Sequence, residues 1–452
     1  MKRRKRSNLS RFCVLIALSV FCLTTSPSMT CAETEEITDG PIESTSAIDE
    51  VFSPPGLTGD WGGLRTDLAK QGVEFSIDLT STMQSVMSGG FDKTTRFLGS
   101  SEWIMDVDGE KLGLWSGVFF RVAAQGRFGR NVLSQAGTLM PVNNDALFPS
   151  DPDHENGDVL NLTEITVTQF LSDWFGVYVG LLNTDSGDAN DFAGFARSNE
   201  YFQNMSFLAS AVSFRLVPNI TFGGGIVLIP FENLVGTISL MDTEESAGSN
   251  PFNTDEGKTI VTEWTLNHSF LDKPTRHVFT FALGYDNDFY KLGDSTRLEF
   301  PPGGGLPSLK FSSKDESWAL WYNGQLAFWT HPDDKERQSG FFLRFGYADD
   351  ETNPIEWNLA GGLGGVGLFD NRPRDRYGIG IFHVEPSDKF PLPQLGLQEE
   401  TGVEMFYNFQ LTPAIFLTLD LQYIDTGLGN GLLVTETPDD AWVGGLRLRF
   451  VL

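Results

Sequence analysis

From Val403 to Leu411 every second residue is apolar: Val403, Met405, Tyr407, Phe409 and Leu411. Glu404, Phe406, Asn408 and Gln410 lie between them, polar in three places of four. Thr412-Pro413-Ala414 breaks the run, and Leu417, Leu419, Leu421 and Tyr423 then restart it with the same period. A period of two puts successive side chains on opposite faces, so the stretch predicts two strands around a tiny turn. The same alternation recurs from Val73 to the end of the chain. It predicts sixteen strands, near 73–87, 100–108, 117–126, 160–170, 175–182, 210–217, 220–229, 259–270, 276–285, 317–330, 340–348, 358–367, 377–383, 400–411, 415–423 and 441–452. A further run at 236–241 would make seventeen, and parity assigns it to a loop. Upstream, Leu57, Trp61, Leu64 and Leu68 fall at helical spacing and Gly72 is a stop, which predicts a short amphipathic helix over 57–72 against the base of the sheet.

The connections sort by length. Those after even-numbered strands are short, such as 171–174, 218–219, 271–275 and 412–414. Those after odd-numbered strands are mostly long, such as 127–159, 183–209, 230–258 and 286–316. Short turns at one end and long loops at the other are the asymmetry of an outer-membrane barrel, in which apolar side chains face lipid and polar ones face a wet lumen. The expected fold is therefore all-β: a sixteen-stranded antiparallel transmembrane barrel over 73–452, with the helix on the periplasmic side.

The N-terminus supplies an export route. Lys2-Arg3-Arg4-Lys5-Arg6, an apolar run from Phe12 to Leu23 and Thr30-Cys31-Ala32 have the layout of a secretory signal over 1–32, cleaved after Ala32. Residues 33–56 are acidic and rich in Ser, Thr and Pro, as a flexible leader is. All three cysteines lie in the signal, so disulfide and thiol chemistry is excluded from the processed chain. Loss of the signal removes six basic residues and no acids, taking the net charge from −28 to −34. Such a surface repels nucleic acid. No later segment has the run of about 20 apolar residues that a spanning helix needs, so any crossing is made by strands.

Four stretches carry a family resemblance. Leu57 to Val73 reads LTGDWGGLRTDLAKQGV; residues 361–367 read GGLGGVG, with DRYGIG at 375–380; residues 399–407 read EETGVEMFY; and residues 413–424 read PAIFLTLDLQYI. Together they resemble the carbohydrate-selective porins of the OprB family. The resemblance implies a sixteen-stranded outer-membrane channel that passes sugars by facilitated diffusion. One departure is the end of the chain, Phe450-Val451-Leu452, where barrels of this type commonly carry the terminal Phe read by the barrel-assembly machinery.

If the alternation holds, the polar face projects Glu102, Asp106, Arg121, Glu164, Arg215, Glu263, Arg344, Glu404 and Asp420 into the pore, together with Glu74, Asp78, Arg127, Arg447 and Arg449. Arg presents a planar fork of donors and carboxylates accept from hydroxyls, which suits a neutral sugar; a ring of one sign would select ions instead. The competing reading is that these charges pair with one another and stiffen the wall. Loop 183–209 is the candidate constriction, with Asp185 and Arg197 as polar contacts and Phe192 or Phe195 stacking on a sugar ring. Its Asp185-Ser-Gly-Asp188 spacing is similar to that of a calcium loop, but the EF-hand spacing and its closing Glu are absent. Tyr407, Tyr423, Trp442, Trp103 and Trp264 fit an interfacial aromatic belt, whereas some of Trp318, Trp321 and Trp329 could line the pore.

The five histidines form no ligand cluster, and no nucleophile elbow or phosphate loop occurs. No enzyme activity, metal or cofactor is therefore expected. The expected partners are small carbohydrates, outer-membrane lipid and the assembly machinery, with the protein a monomer or trimer in the outer membrane of a Gram-negative-type bacterium. The acidity keeps a general or cation-leaning channel open as an alternative. Abundant carboxylate pairs keep open a secreted all-β glycoside hydrolase, and an outer-membrane lipase would need a Ser-His pair that the sequence does not place.

Overall fold

A computed structural model describes residues 56–149, 158–185, 189–195, 197, 199–243, 257–299, 308–431 and 436–452. The expected signal and nearly all of the leader lie outside the described residues, as does Asp188. Sixteen strands close into one antiparallel barrel. They are β1 (Val73–Gly90), β2 (Thr94–Asp108), β3 (Val118–Gly129), β4 (Val159–Ser172), β5 (Phe175–Asn183), β6 (Ile220–Phe231), β7 (Leu234–Asp242), β8 (Lys258–Phe270), β9 (Lys273–Lys291), β12 (Ser312–Thr330), β13 (Gln338–Ala348), β14 (Ile355–Val366), β15 (Arg376–Pro386), β16 (Glu400–Thr412), β17 (Ile415–Asp425) and β18 (Asp439–Val451). Two short strands, β10 (Arg297–Glu299) and β11 (Ser308–Lys310), form a separate hairpin in the loop between β9 and β12.

The barrel is inverted relative to a soluble core. On β13, Phe341 and Leu343 are 52% and 46% exposed, while Phe342 between them and Arg344 after them are 3% and 0% exposed. Closure joins β1 to β18, with Leu79 opposite Phe450 and Thr82 opposite Arg447. Beneath this seam sits the N-terminal element. The predicted helix begins later than its spacing suggests, because Gly62 (φ 72°) and Gly63 (φ 96°) allow only a 3-10 turn, Trp61–Gly63, before α1 (Leu64–Lys70). Arg65 of α1 donates to the carbonyls of Phe75 (2.7 Å) and Leu452 (2.9 Å), tying the helix to both seam strands.

Two predicted elements change places. Residues 210–217 are not a strand but contain a 3-10 helix, Ala211–Arg215. Ala211, Val212, Ser213, Leu216 and Val217 are all buried, so the segment has no solvated or lipid face to alternate with. The run at 236–241, assigned to a loop by parity, lies within β7, where Ile238 and Leu240 face outward and Ser239 and Met241 face inward. Parity fixes how many strands there are, not which segments supply them. The two errors cancel in the count but move a boundary: the connection between β5 and β6 runs over 184–219, and 232–233 is a tight turn.

That long connection does not stay outside. It folds into the barrel and packs a knot of rings against the wall formed by β13 to β16. Phe202 stacks on Phe207 (centroids 4.4 Å) and meets Phe406 (4.8 Å) and Phe342 (5.4 Å), while Phe207 meets Phe382 (5.6 Å). The glycine-rich sequence makes the room. A Cβ on Gly380 would stand 2.5 Å from Phe207 Cε1, and one on Gly364 would stand 2.1 Å from the Phe192 carbonyl oxygen. Glycine at 361–380 thus brings loop and wall into direct contact.

Candidate pore and constriction

Inside the barrel, toward the short-turn end, lies a cavity of about 1100 Å³. Asp78 of β1, Glu102 of β2 and Arg121 of β3 line one side, Arg376 of β15 and Arg449 of β18 another, and Asp191, Phe195, Arg197, Glu200 and Tyr201 of loop 184–219 form its roof. The strands deliver their charges by period two from neighbouring register positions: Asp78 is paired with Glu102, and Asp106 with Arg121.

Nearly every charge here has a partner of opposite sign. Arg121 holds Asp106 with a two-pronged contact, Nε to Oδ1 at 2.6 Å and an Nη to Oδ2 at 3.0 Å. Arg449 sets one guanidinium nitrogen, Nη2, between the two oxygens of Asp78, 2.9 Å from each, and reaches Glu200 through Nη1. Arg376 bonds the other oxygen of Glu200 at 2.5 Å and donates to the Tyr201 hydroxyl at 3.2 Å, its guanidinium 5.5 Å from the Tyr201 ring centre. Arg197 closes onto Glu102. Bidentate Arg–carboxylate contacts fix geometry as well as charge. Glu200 and Arg197 therefore do double work: they set the lumen's charge pattern and staple the loop across it. Further along the loop, Asp191 accepts from Gln325 Nε2 (2.5 Å), and its own N–H donates back to Gln325 Oε1 (2.8 Å).

The residues expected in the pore divide into two groups. Glu102, Asp106, Arg121, Arg197 and Phe195 come together at the cavity. Arg344, Glu404 and Asp420 also point inward, but loops cover them. Glu404 accepts the backbone N–H groups of Gln203 and Asn204 (the latter at 2.9 Å), Arg344 donates to the Gly194 carbonyl at 3.4 Å, and Asp420 accepts from Gln422 at 2.9 Å. Glu164 and Glu263 are buried in the wall, beside Thr166 and Thr280. Arg215 is not a strand residue; it sits in the Ala211–Arg215 helix with its guanidinium 4.8 Å from the Phe289 ring centre. Burial lowers its pKa to about 10, which leaves it cationic at neutral pH. Asp185 is buried within the fold. Phe192, expected to stack on a sugar, is 1% exposed, wedged against Gly340 and Gly364, and presents no face to a solute. Trp321 is buried inside, whereas Trp318 packs on the outward Tyr347 at 5.8 Å.

Glu200, Tyr201, Asp191 and Arg376 were not singled out from sequence. Arg376 lies one residue before the predicted strand start at 377, and extending the period from Gly378 and Gly380 would have found it. The loop residues have no periodicity to betray them.

The family model described as carbohydrate-selective porin, OprB family, matches residues 93–452. A putative porin, QuiX, of Acinetobacter baylyi is 23% identical over 442 residues, covering 87% of this chain and 92% of its own. Porin B of Pseudomonas aeruginosa is 22% identical over 450 residues, covering 89% and 93%. Among solved structures, the high-pH form of Pseudomonas putida OprB superposes with a TM-score of 0.73 at 22% identity, covering 88% of this chain and 99% of that one.

Proposed function

The chain belongs to the carbohydrate-selective porins of the OprB family and is an outer-membrane channel for carbohydrates, and from that premise we propose how its lumen handles them. Neutral sugars pass by diffusion along the cavity lined by Asp78, Glu102, Arg121, Arg376 and Arg449, under the roof formed by Arg197, Glu200 and Tyr201. The observation that carries this reading is the pairing itself: among the described residues, four of the five guanidiniums that line the cavity meet a carboxylate and the fifth, Arg276, donates to the Ala189 carbonyl, so the passage offers dense donors and acceptors without a single-sign field. Hydroxyls of a sugar can exchange for water on both partners in turn, accepting from Arg and donating to Asp or Glu. Phe195 and Tyr201 supply apolar ring faces beside those charges. No chemical step is involved and none of these groups acts as acid or base. Residues 1–32 serve as the export signal, and the folded barrel works in the outer membrane with lipid around it.

Liposome swelling with a panel of mono- and disaccharides tests the reading. Arg197→Ala removes the cation that bridges roof and wall, and the expected result is faster entry of disaccharides together with weaker discrimination among monosaccharides. Identical swelling rates for every sugar would remove Arg197 from the constriction. The acidity of the chain favours a second reading, a cation-leaning channel, but that reading is weakened by the placement of the lumen acids in ion pairs.

A further inference from the structure

The outer face of the barrel carries a polar notch where apolar side chains are expected. Leu266, His277, Gly324 and Leu343 occupy one register row across β8, β9, β12 and β13. Gly324 lets the Tyr322 ring fold over that row, since a Cβ at 324 would stand 2.0 Å from the Tyr322 hydroxyl, and a notch of about 270 Å³ lies beside it. Leu326, Phe341 and Leu343 form its apolar flank. Its other flank is polar: His268 stacks on His277 at 5.0 Å between centroids, and His277 Nδ1 shares a 2.7 Å hydrogen bond with the Tyr322 hydroxyl. His268 is close to the tight turn at Leu271 and Asp272, so the notch runs up from the periplasmic rim.

A polar group on a lipid-facing wall is costly unless it finds a partner. Two imidazoles and a phenol gathered on this face call for one that is itself amphiphilic. We propose that the notch binds one phospholipid of the periplasmic leaflet: an acyl chain lies beside the Tyr322 ring against Leu326, Phe341 and Leu343, and the phosphate accepts hydrogen bonds from His268 and His277. The occupant follows from continuity, since the notch opens on the surface that meets lipid, at the end where the short turns lie. The volume agrees with a chain segment rather than a whole lipid, because an apolar cavity of about 150 Å³ already holds one benzene. The notch shares His268, Thr275 and Gln325 with the rim of the lumen cavity, but its apolar flank and His277 are not in the lining of that cavity.

Native mass spectrometry of the intact protein released from detergent tests this, using dioleoyl phosphatidylglycerol and the dioleoyl glycerol that lacks its phosphate. The wild type is expected to retain one phosphatidylglycerol and to hold the diacylglycerol about tenfold more weakly. Leu343→Trp fills the notch from a lipid-facing position and is expected to abolish retention of both. The double variant His268→Ala/His277→Ala is expected to hold the two lipids equally and weakly. Unchanged retention in Leu343→Trp, or a wild type that holds both lipids alike, would overturn the proposal. Unaltered single-channel conductance in both variants verifies that the barrel is intact; a wild-type chain that failed to insert into bilayers would instead count against the membrane reading on which the notch rests.

Discussion

Two walls of the lumen carry the same residue types on the same inner face and use them in opposite ways. On β13 to β18, Arg344, Glu400, Glu404 and Arg447 are fully buried. Their partners are largely loop groups: Glu400 takes the N–H groups of Leu139, Met140 and Gly427, Glu404 those of Gln203 and Asn204, and Arg447 the side-chain oxygens of Asn143 and Asn144. On β1 to β3, Asp78, Glu102, Asp106 and Arg121 pair with other ionised side chains around open space. The first wall spends its charges holding loops in place, and the second leaves them within reach of a solute. Facing inward is thus not the same as lining the pore, because a loop that folds into a barrel gives it a dry side and a wet side.

This contrast predicts a graded series of substitutions. Glu404→Ala is expected to have the largest effect, about 3–5 kcal/mol, because two buried loop N–H groups lose their carboxyl acceptor. The measurement is thermal unfolding in detergent, accompanied by raised single-channel conductance as the loop leaves the lumen. A loss below about 1 kcal/mol would mean that the loop does not depend on this anchor. Arg344→Ala is expected to cost about 1.5–3 kcal/mol for the same reason. Gly380→Val drives a side chain into Phe207, and about 1–3 kcal/mol is expected from overpacking; equilibrium denaturation of Gly380→Ala and Gly380→Val should rank them by size. Arg121→Ala lies at the other extreme. Its ion pair with Asp106 is about one-third to two-fifths exposed, so stability should change by less than about 1 kcal/mol. Sugar flux should nevertheless change measurably in swelling assays. If Arg344→Ala alters flux at full stability while Arg121→Ala leaves flux untouched, the two walls have been assigned the wrong way round.

Most of the barrel was legible because its walls obey a period of two and its connections sort by length. The sixteen-strand count and the inward placement of Glu102, Arg121 and Arg344 follow from those signals, and the helical spacing of Leu64 and Leu68 placed the body of the helix but not its start. The residues 210–217 were misread because a short apolar run buried on every side looks like a strand when no neighbour is visible. The depth of Phe192 and Glu404 was not legible for a related reason: periodicity reports which face a residue occupies, and only the path of loop 184–219 decides what lies over that face. Gly361 to Gly380 did carry a trace of that path, since a wall so poor in side chains implies something packed against it.

On the proposed reading, the lumen passes neutral sugars through paired charges rather than selecting ions through a net field. Zero-current potentials across planar bilayers, recorded in a salt gradient with and without added sugar, test it most directly. A potential near zero is expected, with a graded block of ion current as sugar is added to either side. Strong cation selectivity with no block by any sugar would contradict it.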